Sequence, residues 1–175
     1  MFSKGGFVSG LRINISNLSE GIHNRSLEIE PGDIGLDERF TETVKVEATL
    51  EKSTRQLYLK VKLSTGGIFT CDRCLDEHRR EVDAKYEIVY MFGIERGVKP
   101  ENQDVAVIHP DTSFVEIGED VRQYVVLAIP QKVLCKEHCE GLCPKCGINR
   151  NKATCQHAEE EVDPHWQGLR KFLEN

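Results

Sequence analysis

The 175-residue chain lacks any run of about 20 apolar residues, so no segment is built to cross a bilayer as a helix. Met1-Phe-Ser-Lys-Gly-Gly leads into polar, alternating sequence and not into the short apolar core of a secretory signal. The expected compartment is therefore cytoplasmic, where thiols stay reduced. There is no phosphate-cradling glycine loop, no nucleophile elbow and no HExxH motif. The expectation is a protein that is not an enzyme and takes no small-molecule substrate. Internal repeats and low-complexity stretches are missing too. Excess positive charge is also missing. The formal net charge is −6, which disfavours broad nucleic-acid binding, because neutralising phosphates takes clustered Lys and Arg. Finally, an even cysteine count is lacking. Seven cysteines fit a disulfide framework poorly.

What the chain has instead is thiols at metal-ligand spacing. Cys135–His157 reads CKEHCEGLCPKCGINRNKATCQH and holds five of the seven cysteines. Cys143-Pro-Lys-Cys146-Gly147 is a metal knuckle: two residues separate the thiols, and the glycine lets the backbone curl round them. An earlier pair, Cys71-Asp-Arg-Cys74, stands far upstream. Zn²⁺ takes four such ligands in a tetrahedron, and seven cysteines plus His157 make eight. One partition gives a compact Cys₃His set, Cys143, Cys146, Cys155 and His157, and a Cys₄ set, Cys71, Cys74, Cys135 and Cys139. It implies two ions and clamps two distant parts of the chain. The competing partition gives one ion on Cys139, Cys143, Cys146 and Cys155 and leaves Cys71–Cys74 as a free pair. Both kinds of set are closed, with no position left for water, as in structural zinc sites. Thiolates also suit iron–sulfur clusters. A thioredoxin-like use of Cys71–Cys74 needs a helix N-terminus in a βαβ unit, whereas antiparallel strands are expected here.

Strand signals dominate before the cysteines. Leu11–Ile15 reads as one strand, and Gly21, Asn24, Pro31, Gly32 and Gly35 read as loop breaks. Val44, Val46, Ala48 and Leu50 alternate with polar residues, as do Leu57, Leu59, Val61 and Leu63, which predicts an antiparallel hairpin with one buried face. Gly66-Gly67 reads as a turn. Val82, Ala84, Tyr86, Ile88 and Tyr90 share one face of a further strand, so Cys71–Cys74 falls at a turn between strands. Residues 93–104 read as a polar loop and Val105–Ile108 as a short strand. Val121, Tyr124, Val125 and Ala128 predict a helix over about 117–128, stopped at Pro130. A last short helix is expected after Asp163, with Pro164 at its first turn and Trp166, Leu169, Phe172 and Leu173 on its apolar side.

The fold class expected is α+β: an antiparallel β-sheet domain with one or two helices and a C-terminal Cys-rich zinc-knuckle segment. Three parts are expected. Residues 1–40 form a loosely ordered segment with one strand, 41–134 the sheet plus helix, and 135–175 the zinc-binding module with its short helix. The acidic and basic residues beside the first pair (Asp72, Arg73, Asp76, Glu77, Arg79, Arg80) read as a solvated surface. Lys136, Lys145, Arg150 and Lys152 cluster in the Cys-rich run and are the candidates for any RNA contact. A redox- or metal-responsive regulator is an alternative use of the same thiols.

The motifs together resemble the YceD family. They are Cys71–Leu75 after a strand, the acidic, apolar helix Asp120–Pro130, Cys135–Asn149 with Gly141-Leu-Cys-Pro-Lys-Cys-Gly147, then Cys155–His157 and Asp163–Leu169. The resemblance covers roughly residues 40–172. His157 stands where the family carries a last cysteine, and histidine is an equally good zinc ligand. The resemblance implies a bacterial or plastid factor needed for accumulation of large-subunit (23S) ribosomal RNA. Its implied partners are ribosomal RNA or a large-subunit precursor, reached directly or through a protein. Because some family members lack most of these cysteines, it also implies a metal that stabilises the fold.

Overall fold

A computed structural model describes residues 10–93 and 105–157. The expected C-terminal helix after Asp163 and most of the 93–104 loop lie outside the described residues. Five strands form the main sheet in the order β2–β3–β4–β5–β6: β2 (Gly21–Ile29), β3 (Val44–Lys52), β4 (Gln56–Thr70), β5 (Glu77–Phe92) and β6 (Val105–Ile108). β2 to β5 pair antiparallel and β6 joins β5 in parallel. A second ribbon pairs β1 (Arg12–Asn14) with β7 (Phe114–Glu116). One helix, α1 (Gly118–Leu127), follows β7. The fold is α+β, mostly antiparallel, as the patterning predicts. No helix among the described residues is long and apolar enough to cross a membrane.

The period-2 pattern follows from burial of one sheet face. Val46, Leu59, Val61 and Leu63 are buried, while Glu47, Lys60 and Lys62 between them are exposed. α1 lies against β5 and the short 3₁₀ turn Pro31–Ile34. It buries Val121 and Val125 and stacks Tyr124 on Tyr86, ring centres 4.6 Å apart. Ile13 and Val115 of the ribbon are buried in the same core.

Two expectations are corrected. Residues 12–40 hold two strands and the 3₁₀ turn, not one strand in loose chain, and Leu11, Ile13, Ile15, Ile34 and Leu36 are buried. β2 escapes notice because it is an edge strand without a fully buried residue, so it carries no alternation. Gly66-Gly67 is no turn but lies inside the 15-residue β4. There the segment 39–42 runs along the flank that β3 leaves open. The Thr41 and Glu42 N–H groups donate to the Gly66 carbonyl (3.2 and 3.1 Å), and the Ile68 N–H donates to Arg39 (2.8 Å). A Cβ on Gly66 would come within 2.5 Å of the Glu42 carboxylate, and one on Gly67 would fall on the Arg39 carbonyl oxygen. The two glycines permit a close backbone approach. Glu42 in turn holds Arg79 of β5 with two hydrogen bonds (2.6 and 3.0 Å). This props up the far end of the β4–β5 hairpin, whose tip is Cys71–Asp76.

Candidate metal centres

Two turns with one hydrogen-bond frame carry the paired cysteines. At the hairpin tip the Cys71 N–H donates to the Asp76 carbonyl (2.9 Å), and the Leu75 N–H donates to the Cys71 carbonyl (2.9 Å). In the C-terminal segment the Cys143 N–H donates to the Ile148 carbonyl (2.8 Å), and the Gly147 N–H to the Cys143 carbonyl (2.8 Å). The residue after each second cysteine takes left-handed backbone, φ 60° at Leu75 and 73° at Gly147. Glycine adopts it freely, whereas a leucine there costs about 1–2 kcal/mol.

The first knuckle meets the chain that leaves α1. The Val133 N–H donates to the Asp72 carboxylate (2.6 Å) and the Val133 carbonyl accepts the Asp72 N–H (2.9 Å). That double contact delivers Cys135 and Cys139. Cys71 Sγ then lies 3.7 Å from Cys139 Sγ, and Cys74 Sγ 3.6 Å from Cys135 Sγ. In the second cluster Cys143 Sγ lies 3.8 Å from His157 Nδ1, with Cys146 and Cys155 alongside. Within each cluster every donor atom is within 4.8 Å of the others. The structure thus brings together 71/74/135/139 and 143/146/155/157. It does not assemble the alternative set that puts Cys139 with 143, 146 and 155.

A tetrahedral ion with Zn–S bonds of about 2.3 Å holds its sulfurs about 3.8 Å apart. The observed separations fit such an ion. They do not fit a disulfide of about 2.05 Å, and all seven cysteines are free. The thiol electrostatics point the same way. Burial pushes Cys71 up, but backbone N–H groups of Cys74, Cys135 and Arg73 outweigh it and bring the thiol to about 6. N–H groups of Cys146 and Lys145 bring Cys143 to about 6 despite burial. Cys135 is pushed up to about 12, first by burial and then by the neighbouring Cys74, Cys139 and Cys71. Peptide dipoles therefore favour the thiolate at one cysteine of each knuckle, the charge state in which a thiol can hold a cation.

Cys71, Cys74 and Cys139 of the first cluster are buried, with Cys135 half-buried. In the second, Cys143 is buried, Cys155 is half-buried, and Cys146 and His157 are exposed. Of the four basic candidates for RNA contact, all are exposed, and Lys152 is engaged by the Asp76 carboxylate at 2.9 Å.

Asp72, Arg73, Glu77 and Arg79 beside the first pair are exposed, as expected, but Arg73 and the half-buried Asp76 also make specific bonds to the second knuckle. Arg73 Nη1 donates to the Cys139 carbonyl (2.8 Å), and the Arg73 carbonyl accepts the Leu142 N–H (3.0 Å). Asp76 accepts Asn149 Nδ2 at 2.7 Å as well as Lys152. Asn151 Nδ2 donates to Cys139 Sγ (3.2 Å), and its Oδ1 accepts the Glu140 N–H (3.0 Å). Asn149 and Asn151 bond to groups around the first cluster, and sequence reasoning gave neither a role. The one available signal was two asparagines inside a cysteine-bounded turn, where amides commonly bond to backbone and sulfur.

The family model described as large ribosomal RNA subunit accumulation protein YceD matches residues 59–173, which takes in both clusters. A chloroplastic protein of Arabidopsis thaliana named large ribosomal RNA subunit accumulation protein YCED homolog 1 is 37% identical over 65 residues, 37% of this chain and 20% of its own length. An uncharacterized protein of Mycobacterium tuberculosis is 26% identical over 104 residues, 59% of this chain and 49% of its own. An uncharacterized protein of Mycobacterium leprae is 19% identical over 130 residues, 74% of this chain and 59% of its own. The chain thus spans about a fifth of the plant relative and about half of the mycobacterial ones. No solved structure matches it.

Proposed function

The chain belongs to the YceD family, and on that premise we propose that it supports the accumulation of 23S ribosomal RNA. In this reading it is a cytoplasmic, non-enzymatic factor whose fold is held by two zinc ions. The observation that carries the function is the family match across residues 59–173, which spans the hairpin tip, α1 and both cysteine clusters. Zinc is favoured by the donor sets, Cys₄ and Cys₃His, and by sulfur separations of 3.6–3.7 Å in the first. Four protein ligands per ion leave no open position for substrate or activated water. When bound, each ion supplies folding energy and neutralises thiolates. The chain's own residues do the rest: backbone N–H groups aim the thiols, Asp72 holds Val133 of the chain leaving α1, and Arg73 and Asp76 dock one knuckle on the other.

Contact with the large-subunit precursor runs through a protein, or directly through Lys136, Lys145, Arg150 and Lys152. The net charge of −6 favours the protein route. Depletion of the protein should lower 23S RNA and large-subunit levels; unchanged 23S RNA and ribosome profiles would reject the function. Neutralising the four basic residues should weaken any direct RNA binding and flatten its salt dependence. An unchanged salt slope would remove that patch.

A second reading, a redox- or metal-responsive regulator, rests on the exposed Cys146 and His157 of the Cys₃His cluster. It requires zinc release by mild peroxide with a reversible structural change, and metal retained under peroxide would dismiss it.

A further inference from the structure

We propose that the two clusters load metal cooperatively, and that Asn151 is the positioning residue that links them. The inference rests on the metal reading of both clusters and adds that neither is independent of the other.

The second cluster closes the loop 147–154 between Cys146 and Cys155. Within the loop, the Lys152 and Ala153 N–H groups donate to the Asn149 carbonyl (3.0 and 3.1 Å), and the Asn151 N–H donates to Asn149 Oδ1 (3.0 Å). Its start is tied to the chain before the knuckle by the Leu142–Asn149 bridge and by the Arg150 N–H to the Gly141 carbonyl (2.9 Å). An ion on Cys146 and Cys155 shortens the loop's freedom further, because it fixes both ends.

The outer face of this loop is the outer shell of the other cluster. Asn151 Nδ2 points at Cys139 Sγ (3.2 Å), a ligand of the Cys₄ set, and Asn151 Oδ1 fixes the Glu140 N–H next in sequence (3.0 Å). Asn149 and Lys152 hold Asp76, whose carbonyl accepts the Cys71 N–H (2.9 Å). An N–H donor to a ligating sulfur orients the ligand and steadies its charge, and losing such a partner typically lowers metal affinity about 10–100-fold. Ordering the loop at the second cluster therefore places donors that the first cluster uses.

The link also runs in the other direction. An ion on Cys71, Cys74, Cys135 and Cys139 fixes the Arg73 carbonyl, which accepts the Leu142 N–H immediately before Cys143 (3.0 Å). Linkage is reciprocal, so each ion tightens the other by the same factor, typically about 5–150-fold.

The experiment uses the full chain and zinc titrated against a competing chelator. Affinity for one ion is measured in two single-site variants, Cys146→Ser/Cys155→Ser and Cys71→Ser/Cys74→Ser, and affinity for two ions in the unaltered protein. Circular dichroism of each variant checks that the sheet is retained. The unaltered protein should bind two ions more tightly than the product of the single-site affinities, by about 5–150-fold. The same three measurements in an Asn151→Ala background should reduce that factor toward one, while Asn151→Asp, which keeps the oxygen but loses the N–H donor, should behave as the alanine does. A factor of one in the unaltered protein, or one unmoved by Asn151→Ala, overturns the proposal. Failure of either single-site variant to bind metal with its sheet intact would instead overturn the two-site reading beneath it.

Discussion

Gly141 and Gly147 have nearly the same backbone, φ 74° and 73°, yet substituting alanine should hurt one far more than the other. Either alanine must enter the left-handed region at about 1–2 kcal/mol. Either also gains about 0.4–1 kcal/mol by restricting the unfolded chain. Gly147 has nothing within 4 Å of the position of its added Cβ, so Gly147→Ala should cost about 1 kcal/mol net. Gly141 is buried, and its Cβ would sit 3.0 Å from the Arg73 carbonyl oxygen. That oxygen accepts the Leu142 N–H at 3.0 Å. Relief requires the Arg73 carbonyl to give by a few tenths of an ångström, which strains this bond; losing it costs about 1 kcal/mol, or up to about 3 if the carbonyl stays buried without a partner. Gly141→Ala should therefore cost about 2–4 kcal/mol. For a chain of this size that is about 4–16 °C of melting temperature, against about 2–4 °C for Gly147→Ala. Thermal unfolding of the metal-loaded protein, followed by circular dichroism, measures both. Equal shifts for the two variants would refute the packing of one knuckle on the other.

A chelator should strip metal in two phases, because Cys146 and His157 are exposed while three of the four Cys₄ ligands are buried. His157→Ala should abolish the fast phase; a surviving fast phase would mean that the Cys₄ cluster is the labile one. Burial, then the neighbouring Glu119, pushes the Asp120 carboxyl above its ordinary value. The folded state thus holds that proton more tightly than the unfolded chain. Its favourable contribution is present below the unfolded value near pH 4 and is lost as pH rises through the raised folded value. Asp120→Asn should accordingly raise the melting temperature at pH 7, with a gain that shrinks as the pH is lowered. A lower melting temperature at pH 7 would refute it.

The strands that bury one face were legible because burial writes itself into every second residue: β3, the first half of β4 and much of β5 follow directly from Val44–Leu50, Leu57–Leu63 and Val82–Tyr90. β2 was not, since an edge strand without a buried face has no period to read. Gly66-Gly67 misled because glycine marks both turns and close approach, and only the position of residues 39–42 distinguishes them. In the candidate site, eight donors divided into two fours give the grouping that the structure assembles. The likeness of the two knuckles stayed hidden because Leu75 occupies the left-handed position that Gly147 occupies in the other. Asp76 looked like surface because its partner Asn149 lies 73 residues away. A polar residue whose bond is that distant carries no local signature.

The most direct test of the structural-zinc account is metal content per chain, measured on protein purified under reducing conditions. Two zinc ions per chain are expected, one on each cluster. One ion would leave one of the two four-donor clusters unexplained, and none would contradict the metal account altogether.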